Sequence, residues 1–330
     1  MKPLALSMGE PGGIGPDITL LAWQYFSAKN GPVFALFTDV DALHMRMKEL
    51  GFTFPVQVTT LEDAPRVFKT ALPIIPLKNS VKTIAGKVDV ENAAAVIEAI
   101  TRAVEAVQSG VASAVVTNPI QKETLTKAGF SWPGQTEFLG ELSFRHTKQK
   151  QRAVMMIASD FLKVVPLTIH MPLKDVPQGI TAGLIIETAE ILNNELQHKF
   201  KIEDPRITVA GLNPHAGENG IMGTEDETVI RPAIEELKKR GMNIRGPLPA
   251  DTLFHETARR TYDAVIAMYH DQALIPAKTL AFDSAVNLTL GLPFVRTSPD
   301  HGTALNLAAT GAAKPDSLIA AIELAARLAA

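Results

Sequence analysis

The sequence predicts an α/β fold built around a largely parallel sheet. Three observations lead to this prediction. Short apolar runs typical of buried strands alternate along the chain with longer segments of helical period. Glycine or proline marks many of the junctions between the two kinds of segment. Neither internal repeats nor low-complexity tracts interrupt the alternation.

The first part of the chain shows this alternation clearly. Its predicted elements are, in order, strand 4–8, helix 17–26, strand 33–37, helix 42–50, helix 91–109 and strand 112–117. Pro16 suits the first turn of a helix, because the amide proton that it lacks would have no helical partner there. Gly51 and Gly110 suit the position after a helix, because glycine readily adopts the left-handed conformation. Residues 51–87 are the least regular, and proline-containing turns predict a domain junction near 118–135.

The second part repeats the pattern. Its predicted elements are a strand-like apolar run 162–169, helix 180–198, strand 207–212, helix 228–240, strand 264–269 and a closing helix 316–328. The helix 180–198 is long and amphipathic, with apolar residues at helical spacing on one face.

Composition excludes several classes of function. The 330 residues are enough for two domains or one large one, and 46 % hydrophobic with 20 % charged residues is typical of a globular protein. The net charge is −3 and basic residues do not cluster, so a nucleic-acid partner is not expected. The chain has no cysteine, which excludes disulfides and thiolate ligands. Since no apolar run approaches the ~20 residues of a membrane span, we expect a cytoplasmic protein.

Three histidines stand where predicted strands end and loops begin. His170 follows the run 162–169, His215 lies in GLNPHAGE after strand 207–212, and His270 follows strand 264–269. Ligands collect at the carboxyl ends of strands in open α/β sheets. Three imidazoles that converge there could hold one divalent metal and leave coordination positions open for a substrate. The alternative interpretation is that each histidine only hydrogen-bonds its own loop.

A glycine-rich loop, GEPGGIGPD, joins the first strand to the first helix. Gly12, Gly13 and Gly15 would let the backbone approach a ligand closely, and the N-terminus of a helix favours anions. The spacing matches neither the dinucleotide-binding fingerprint nor a Walker A loop. A tight strand-to-helix turn is the alternative interpretation.

The loop MGEPGGIGPDI resembles the GDGIGPE loop of the isocitrate and isopropylmalate dehydrogenases. Over nearly its whole length the chain more closely resembles the 4-hydroxythreonine-4-phosphate dehydrogenase family of pyridoxal phosphate biosynthesis. Six further blocks carry this resemblance: TNPIQK (117–122), GQTEFL (134–139), GLNPHAGE (211–218), GPLPADTLF (246–254), AMYHDQ (267–272) and NLTLGLPFVRTSPDHGTA (287–304).

The resemblance implies an isocitrate/isopropylmalate dehydrogenase-like fold, with two α/β subdomains and a cleft between them. Residues 1–130 plus about 290–330 would form the cofactor-side subdomain, and residues 131–289 the metal, substrate and dimerisation subdomain. The resemblance also implies a homodimer with the active site at the subunit interface. There His170, His215 and His270 would bind zinc, cobalt or magnesium, two histidines coming from one subunit and one from the other.

Substrate and cofactor residues follow from the same resemblance. Lys278, Asn287 and Arg296 would bind a phosphorylated substrate, as expected of cations and donors facing a phosphate ester. The family's His-Thr pair is replaced here by Gln135 and Thr136. Glutamine can donate and accept hydrogen bonds but cannot exchange a proton near neutral pH. We therefore expect that it positions the substrate in place of the histidine.

The segment from His301 resembles the HGSAPDIAG adenosine-binding loop of the wider dehydrogenase superfamily. His301, Gly302 and Asn306 would contact NAD, with NADP as the alternative, because Asn306 stands where that loop carries an aspartate. A helix-capping turn is the interpretation that involves no cofactor.

The reaction implied is a metal-dependent oxidation of 4-phosphooxy-L-threonine at C3, followed by decarboxylation to 3-amino-2-oxopropyl phosphate. Asp251, Asp271 and Lys278 are the candidates for the base or for a residue that orients a ligand. Alternatives within the dehydrogenases are 4-phospho-D-threonate, 4-phospho-D-erythronate or a dihydrodiol carboxylate as substrate. Alternatives from other classes are a metal-dependent hydrolase, an acyltransferase that uses phosphate, and a non-catalytic phosphate-binding module.

Overall fold

The computed structural model describes residues 2–82, 84–132, 134–149 and 152–330, and the chain divides into two compact units. Unit 1 comprises Met1–Ala153 and Leu292–Ala330, and unit 2 comprises Val154–Gly291. The strands are β1 Leu4–Ser7, β2 Phe34–Thr38, β3 Val56–Val58, β4 Leu72–Pro76, β5 Val115–Thr117, β6 Val154–Ala158, β7 Lys163–Pro166, β8 Ile207–Ala210, β9 Ile244–Leu248, β10 Ala264–Ala267, β11 Val286–Leu290 and β12 Arg296–Pro299.

The helices alternate with these strands. They are α1 Gly15–Lys29, α2 Val40–Leu50, α3 Ala64–Val67, α4 Ala93–Gln108, α5 Lys122–Lys127, α6 Gln135–Thr147, α7 Val176–Gly179, α8 Ala182–His198, α9 Arg231–Lys239, α10 Glu256–Arg259, α11 His270–Ala281 and α12 Asp316–Leu328. No helix within the described ranges is both long enough and apolar enough to cross a bilayer.

Unit 1 is built on strands in the order β3-β4-β2-β1-β5-β12, with parallel neighbours throughout. Strands β1, β2 and β5 are fully buried, β3 is largely exposed, and α1 buries Ile18, Ala22 and Phe26 at helical spacing. Strands β2, β3 and β4 all lie on one side of β1, and the next strand in the chain, β5, lies on its other side. The carboxyl ends of β1 and β5 therefore form a topological switch point, where ligands bind in doubly wound sheets.

Unit 2 is built on strands in the order β11-β6-β7-β10-β8-β9. The run β7-β10-β8-β9 is parallel, whereas β6 is antiparallel to both of its neighbours. Helix α11 packs on the sheet through Ala273, Ala277 and Ala281, whose small side chains recur every four residues and are buried. Because β7, β10 and β8 are adjacent, the three histidine-bearing segments all begin at one edge of this sheet.

Most predicted elements are confirmed, with shifted ends. The helix 316–328 matches α12. The helix predicted from residue 17 begins at Gly15 with Pro16 in its first turn, and Gly51 closes α2 with φ +72°. The strand-like run 162–169 ends earlier, at Pro166, and the helix predicted from residue 228 begins with a π-helical turn, Asp226–Ile230.

Two expectations differ from the structure. His270 was expected to open a loop, but it is the first residue of α11. Residues 131–153, which the sequence analysis placed in the second subdomain, cluster with unit 1. They do so because α6 packs beside α4, where the side-chain amide of Gln108 donates to the carbonyl of Leu142 at 3.3 Å.

Candidate active site

His170 and His270 lie side by side in unit 2. Their ring centroids are 6.0 Å apart, because β7 and β10 pair directly just before the two residues. A cavity of about 460 Å³ is lined by both histidines and by Tyr269, Asp271 and Leu173.

The Nδ1 atom of His270 lies 2.7 Å from a carboxylate oxygen of Asp271, and the side chain of His270 is 40 % exposed. A carboxylate on one ring nitrogen orients an imidazole and leaves the other nitrogen available to a ligand. Imidazoles held in this way suit zinc or cobalt by ligand type. The donor chemistry of the pair therefore fits a divalent metal.

His215 lies in a strained turn, Pro214–Gly220, that follows β8. Residues 215–219 all have left-handed backbone angles, with φ of 53°, 51°, 80°, 45° and 57°. Such conformations cost roughly 1–3 kcal/mol for each residue other than glycine and persist only where the surroundings impose them. The fully buried carboxylate of Asp226 anchors the segment that leads into this turn, since it accepts the backbone amides of Leu212 at 2.9 Å and Asn213 at 3.1 Å.

The expectation that three imidazoles converge is not met within one chain. Among residues 2–82, 84–132, 134–149 and 152–330, no three histidine or acidic side chains are close enough to hold a metal ion together. The structure brings together His170 and His270, while His215 is held in its own left-handed turn.

Arg296 and Gln135 are in direct contact in unit 1. Arg296 begins β12, is almost fully buried, and donates through Nη2 to Thr117 Oγ1 at 2.7 Å and to Gln135 Oε1 at 2.8 Å. Burial lowers the pKa of Arg296 to about 10, so the group is a cation at neutral pH. The Nε2 atom of Gln135 is buried and has no hydrogen-bond partner among the described residues. Gln135 therefore presents a donor to a ligand while its oxygen is held by Arg296. Thr136 lines a separate cavity of about 530 Å³ beside Trp132.

The remaining predicted substrate and base residues lie in unit 2. Asn287 sits on β11, and its buried Oδ1 has no partner within the described ranges. Lys278 is half-buried in the last turn of α11. Asp251 is exposed in the short turn Ala250–Thr252 after β9. Asp271 is engaged with His270, which favours an orienting role for its carboxylate.

The glycine-rich loop of unit 1 is buried against other protein segments. A Cβ atom on Gly12 would lie 1.8 Å from the carbonyl oxygen of Lys87, and one on Gly13 would lie 2.7 Å from that of Thr303. A Cβ atom on Gly15 would lie 2.6 Å from the carbonyl oxygen of Met8. Close packing of backbone on backbone thus accounts for all three glycines.

The amides of the same loop already have acceptors. Gly12 donates to the carboxylate of Glu10 at 3.2 Å, Gly13 to the carbonyl of Glu10 at 3.0 Å, and Ile14 to the carbonyl of Thr303 at 3.0 Å. Burial raises the pKa of Glu10, and the Gly12 amide opposes this shift. These amide groups are committed within the protein, so they do not form an open anion cradle.

The His301 segment is more accessible than the glycine loop. Gly302 and Asn306 are exposed, and nothing lies within 4 Å of the position that a Cβ atom on Gly302 would take. The Nδ1 atom of His301 lies 3.0 Å from the carbonyl of Gly302. Its Nε2 atom is buried and lacks a partner in the part of the chain that the structure describes. An accessible backbone beside an unpaired ring nitrogen suits contact with a ligand.

A buried ion pair that the sequence analysis missed links these two loops. Arg46 on α2 and Asp17 on α1 are 1 % and 2 % exposed and form a salt bridge. Arg46 also donates to the carbonyls of Gly13 at 2.9 Å and Pro11 at 3.0 Å, and Asp17 accepts the amide of Ala309 at 2.7 Å. The partners are 29 residues apart on different helices, so no local pattern could have revealed them.

Comparisons with known proteins agree over the whole chain. The model of the family described as pyridoxal phosphate biosynthetic protein PdxA matches residues 31–325. A protein of Methylorubrum extorquens named 4-hydroxythreonine-4-phosphate dehydrogenase is 55 % identical over 330 residues, which cover 99 % of this chain and 95 % of that protein. A protein of the same name from Bradyrhizobium diazoefficiens is 50 % identical and covers 100 % of this chain and 97 % of that protein. The crystal structure of the 4-hydroxythreonine-4-phosphate dehydrogenase of Klebsiella pneumoniae superimposes with a TM-score of 0.87 at 33 % identity, covering 100 % of both chains.

Proposed function

Because the chain belongs to the pyridoxal phosphate biosynthetic protein PdxA family of oxidoreductases, we propose that it oxidises 4-phosphooxy-L-threonine at C3 with NAD or NADP. Decarboxylation to 3-amino-2-oxopropyl phosphate follows, as a step toward pyridoxine 5'-phosphate. Beyond the family assignment, the observation that carries the proposal is the pair of imidazoles at neighbouring strand ends, His170 and His270. The proposal places the enzyme in the cytoplasm, where nicotinamide cofactors are present.

His170, His215 and His270 are the proposed ligands of a divalent cation (zinc, cobalt or magnesium) in a site completed between the two subunits of a homodimer. Exposed apolar side chains in the segments that follow the three histidines support the dimer, since such residues mark protein interfaces. They are between 41 % and 79 % exposed: Met171, Leu173, Ile221, Met222, Ile275 and Phe282. A second copy of the chain would cover them and bring the third histidine.

When bound, the cation supplies Lewis acidity toward substrate oxygens and the nicotinamide ring accepts a hydride. The chain's own residues position the substrate. In unit 1, Arg296 and the unpaired Nε2 of Gln135 offer a charge and a donor to an anionic group. Thr136, the next residue along the chain, is a further proposed contact. In unit 2, Lys278 and Asn287 are the proposed contacts.

Proton transfer from the C3 hydroxyl is assigned to one of two groups. Asp271 holds the Nδ1 side of His270 and is proposed to fix the tautomer of that imidazole. This leaves the Asp251 carboxylate or Lys278 Nζ as the proton acceptor. The pH profiles of kcat in Asp251→Asn and Lys278→Met distinguish them. Only loss of the base removes the ionisation on the acidic limb, where the base is protonated and inactive, while substrate still binds.

The cofactor is proposed to lie against His301, Gly302 and Asn306. Their accessibility, and the unpaired Nε2 of His301, support this assignment. Gly13 would contribute by letting the glycine-rich loop pack closely against Thr303 in that segment, and Gly12 and Gly15 by letting the same loop pack against Lys87 and Met8.

The test of the proposal is the choice of substrate. We expect NADH or NADPH formation from 4-phosphooxy-L-threonine at a kcat/KM at least tenfold above that for 4-phospho-D-threonate. A higher kcat/KM for 4-phospho-D-threonate would leave the dehydrogenase assignment in place but show that the proposed substrate is wrong. Substrate hydrolysis with no cofactor reduction would overturn the proposed reaction in favour of a metal-dependent hydrolase.

A further inference from the structure

We infer that Gln272 is a positioning residue that ties the His215 turn to the segment carrying His270, with Thr168 extending the same link to His170. The inference rests on the proposed metal site. It concerns side chains that are not themselves ligands. It arises from a continuous chain of hydrogen bonds across three neighbouring strand ends.

Gln272 makes two bonds that bridge the ends of β10 and β8. Its Oε1 accepts the backbone amide of Met268 at 2.6 Å, and its Nε2 donates to the carbonyl of Gly211 at 2.9 Å. Met268 is the residue after β10, two positions before His270, and Gly211 is the residue after β8, four positions before His215. One side chain therefore spans the gap where the backbone ladder between these strands has ended.

Thr168 completes the link on the other side of β10. Its amide and its hydroxyl both donate to the carbonyl of Met268, at 3.2 Å and 2.8 Å. The peptide units on either side of Met268 are thus held by Thr168 and by Gln272. Thr168 is buried and lies two positions before His170, so the three histidine-bearing segments share one bonded network.

This network explains how the strained turn that carries His215 is held in position relative to His270. Asp226 holds the segment that leads into the turn by binding the amides of Leu212 and Asn213, but those bonds lie on the β8 side of the sheet. Gln272 supplies a bond from Gly211, at the start of that leading segment, to the helix that begins with His270. Residues that orient metal ligands typically contribute about 10-fold to 100-fold in metal affinity or activity.

The experiment measures Co²⁺ dissociation constants of the full-length protein by the visible absorption of the bound ion. Gln272→Glu keeps the acceptor for Met268 and nearly the same volume but removes the donor to Gly211. The matched control is Gln197→Glu, because Gln197 also donates its amide to a backbone carbonyl, that of Glu203 at 3.3 Å, on the exposed surface of unit 2. The melting temperature of the metal-free protein is recorded for each variant.

We expect Gln272→Glu to weaken Co²⁺ binding at least tenfold and to change the absorption spectrum, while Gln197→Glu binds as the wild type does. Binding by Gln272→Glu within twofold of the wild type overturns the inference. If the wild type binds no Co²⁺, the proposed metal site itself is wrong. That result is distinguishable from a wild type that binds Co²⁺ and a Gln272→Glu variant that binds it equally well, which contradicts only the role of Gln272.

If Gln272→Glu does not fold, a second pair of variants tests the same hydrogen-bond network. Thr168→Val removes the hydroxyl bond to Met268 and retains the shape, and Thr168→Ser restores the hydroxyl. Weakened Co²⁺ binding in Thr168→Val with recovery in Thr168→Ser supports the network. Equal affinity in all three proteins overturns it.

Discussion

Replacing Arg46 by methionine would remove the cation from the buried ion pair in unit 1. The side chains of Arg46 and Asp17 are 1 % and 2 % exposed, so neither charge is hydrated in the folded chain. Methionine fills similar space but removes the cation, while the amide of Ala309 still donates to the Asp17 carboxylate. It also removes the donors to the carbonyls of Pro11 and Gly13.

The expected loss follows from that burial. Removing one partner of a buried ion pair costs about 3–5 kcal/mol, because the other charge stays buried without compensation. For units of this size that corresponds to a fall in melting temperature of roughly 6–20 °C. Denaturant unfolding measures the loss of free energy directly.

The loss should depend on pH with a definite sign. Burial raises the pKa of Asp17, and Arg46 opposes that rise. Without Arg46 the pKa of Asp17 rises further. A carboxyl group whose folded pKa is raised contributes stability below its unfolded pKa, and that contribution is lost as pH rises through the folded pKa. The deficit of Arg46→Met is therefore greatest at neutral pH and shrinks as pH falls.

Two controls separate the buried charge from other effects. Glu49→Gln removes the exposed partner of Arg46, which lies at 3.2 Å, and should change stability by less than about 1 kcal/mol. Adding Asp17→Asn to Arg46→Met removes the stranded charge and should recover most of the loss. A loss below about 1 kcal/mol for Arg46→Met, or one that does not vary with pH, would refute the reasoning.

Three further predictions concern the candidate site and the core of unit 2. Gln135→His should keep kcat within about tenfold of the wild type, roughly 1.4 kcal/mol in activation free energy, because a neutral imidazole nitrogen can accept from Arg296. A switch of preferred substrate in steady-state assays would contradict this expectation. Arg296→Lys should raise KM for the phosphorylated substrate about 10-fold to 100-fold, because Nη2 of Arg296 already donates to Thr117 and Gln135 and a lysine has no second planar nitrogen to offer the phosphate. An unchanged KM would count against the assignment. Tyr262→Phe should cost about 0.5–1.5 kcal/mol in denaturant unfolding, since its hydroxyl donates to the buried carbonyl of Leu253 at 2.8 Å; equal stability would show that this bond contributes nothing.

The elements of the fold were largely predictable because they depend on local sequence. The helix 316–328 carries its apolar residues at helical spacing, and Gly51 ends its helix with the left-handed angle that glycine favours. The antiparallel placement of β6 was not predicted, because no strand was expected at Val154–Ala158. Its pairing with β7 is local, whereas its pairing with β11 joins segments distant in sequence. His270 was expected in a loop because it directly follows a predicted strand and Tyr269, at the N-cap, is not a residue that favours that position. The acidic Asp271 in the first turn was the signal for a helix that was overlooked.

The identity of the candidate site residues could be predicted from the sequence, whereas their positions relative to one another could not. Motifs pointed to His170, His215 and His270, but β10 has both β7 and β8 as neighbours, and only the folded chain shows that His170 and His270 lie together. The left-handed run at residues 215–219 was not predictable, because four of its five residues are not glycine. The bond from the Leu212 amide to Asp226, just before that turn, is likewise visible only in the folded chain.

The measurement that tests the central claim most directly is reduction of NAD or NADP by the purified protein with 4-phosphooxy-L-threonine. It is made before chelation, after chelation, and after a divalent metal is restored. The proposed function predicts that the reduced cofactor forms, that chelation abolishes its formation, and that added metal restores it. In His270→Ala no cofactor reduction is expected, even with added metal. Cofactor reduction that is unaffected by chelation, or that persists in His270→Ala, would contradict a histidine-bound metal. No cofactor reduction in any of these conditions would contradict the proposed reaction.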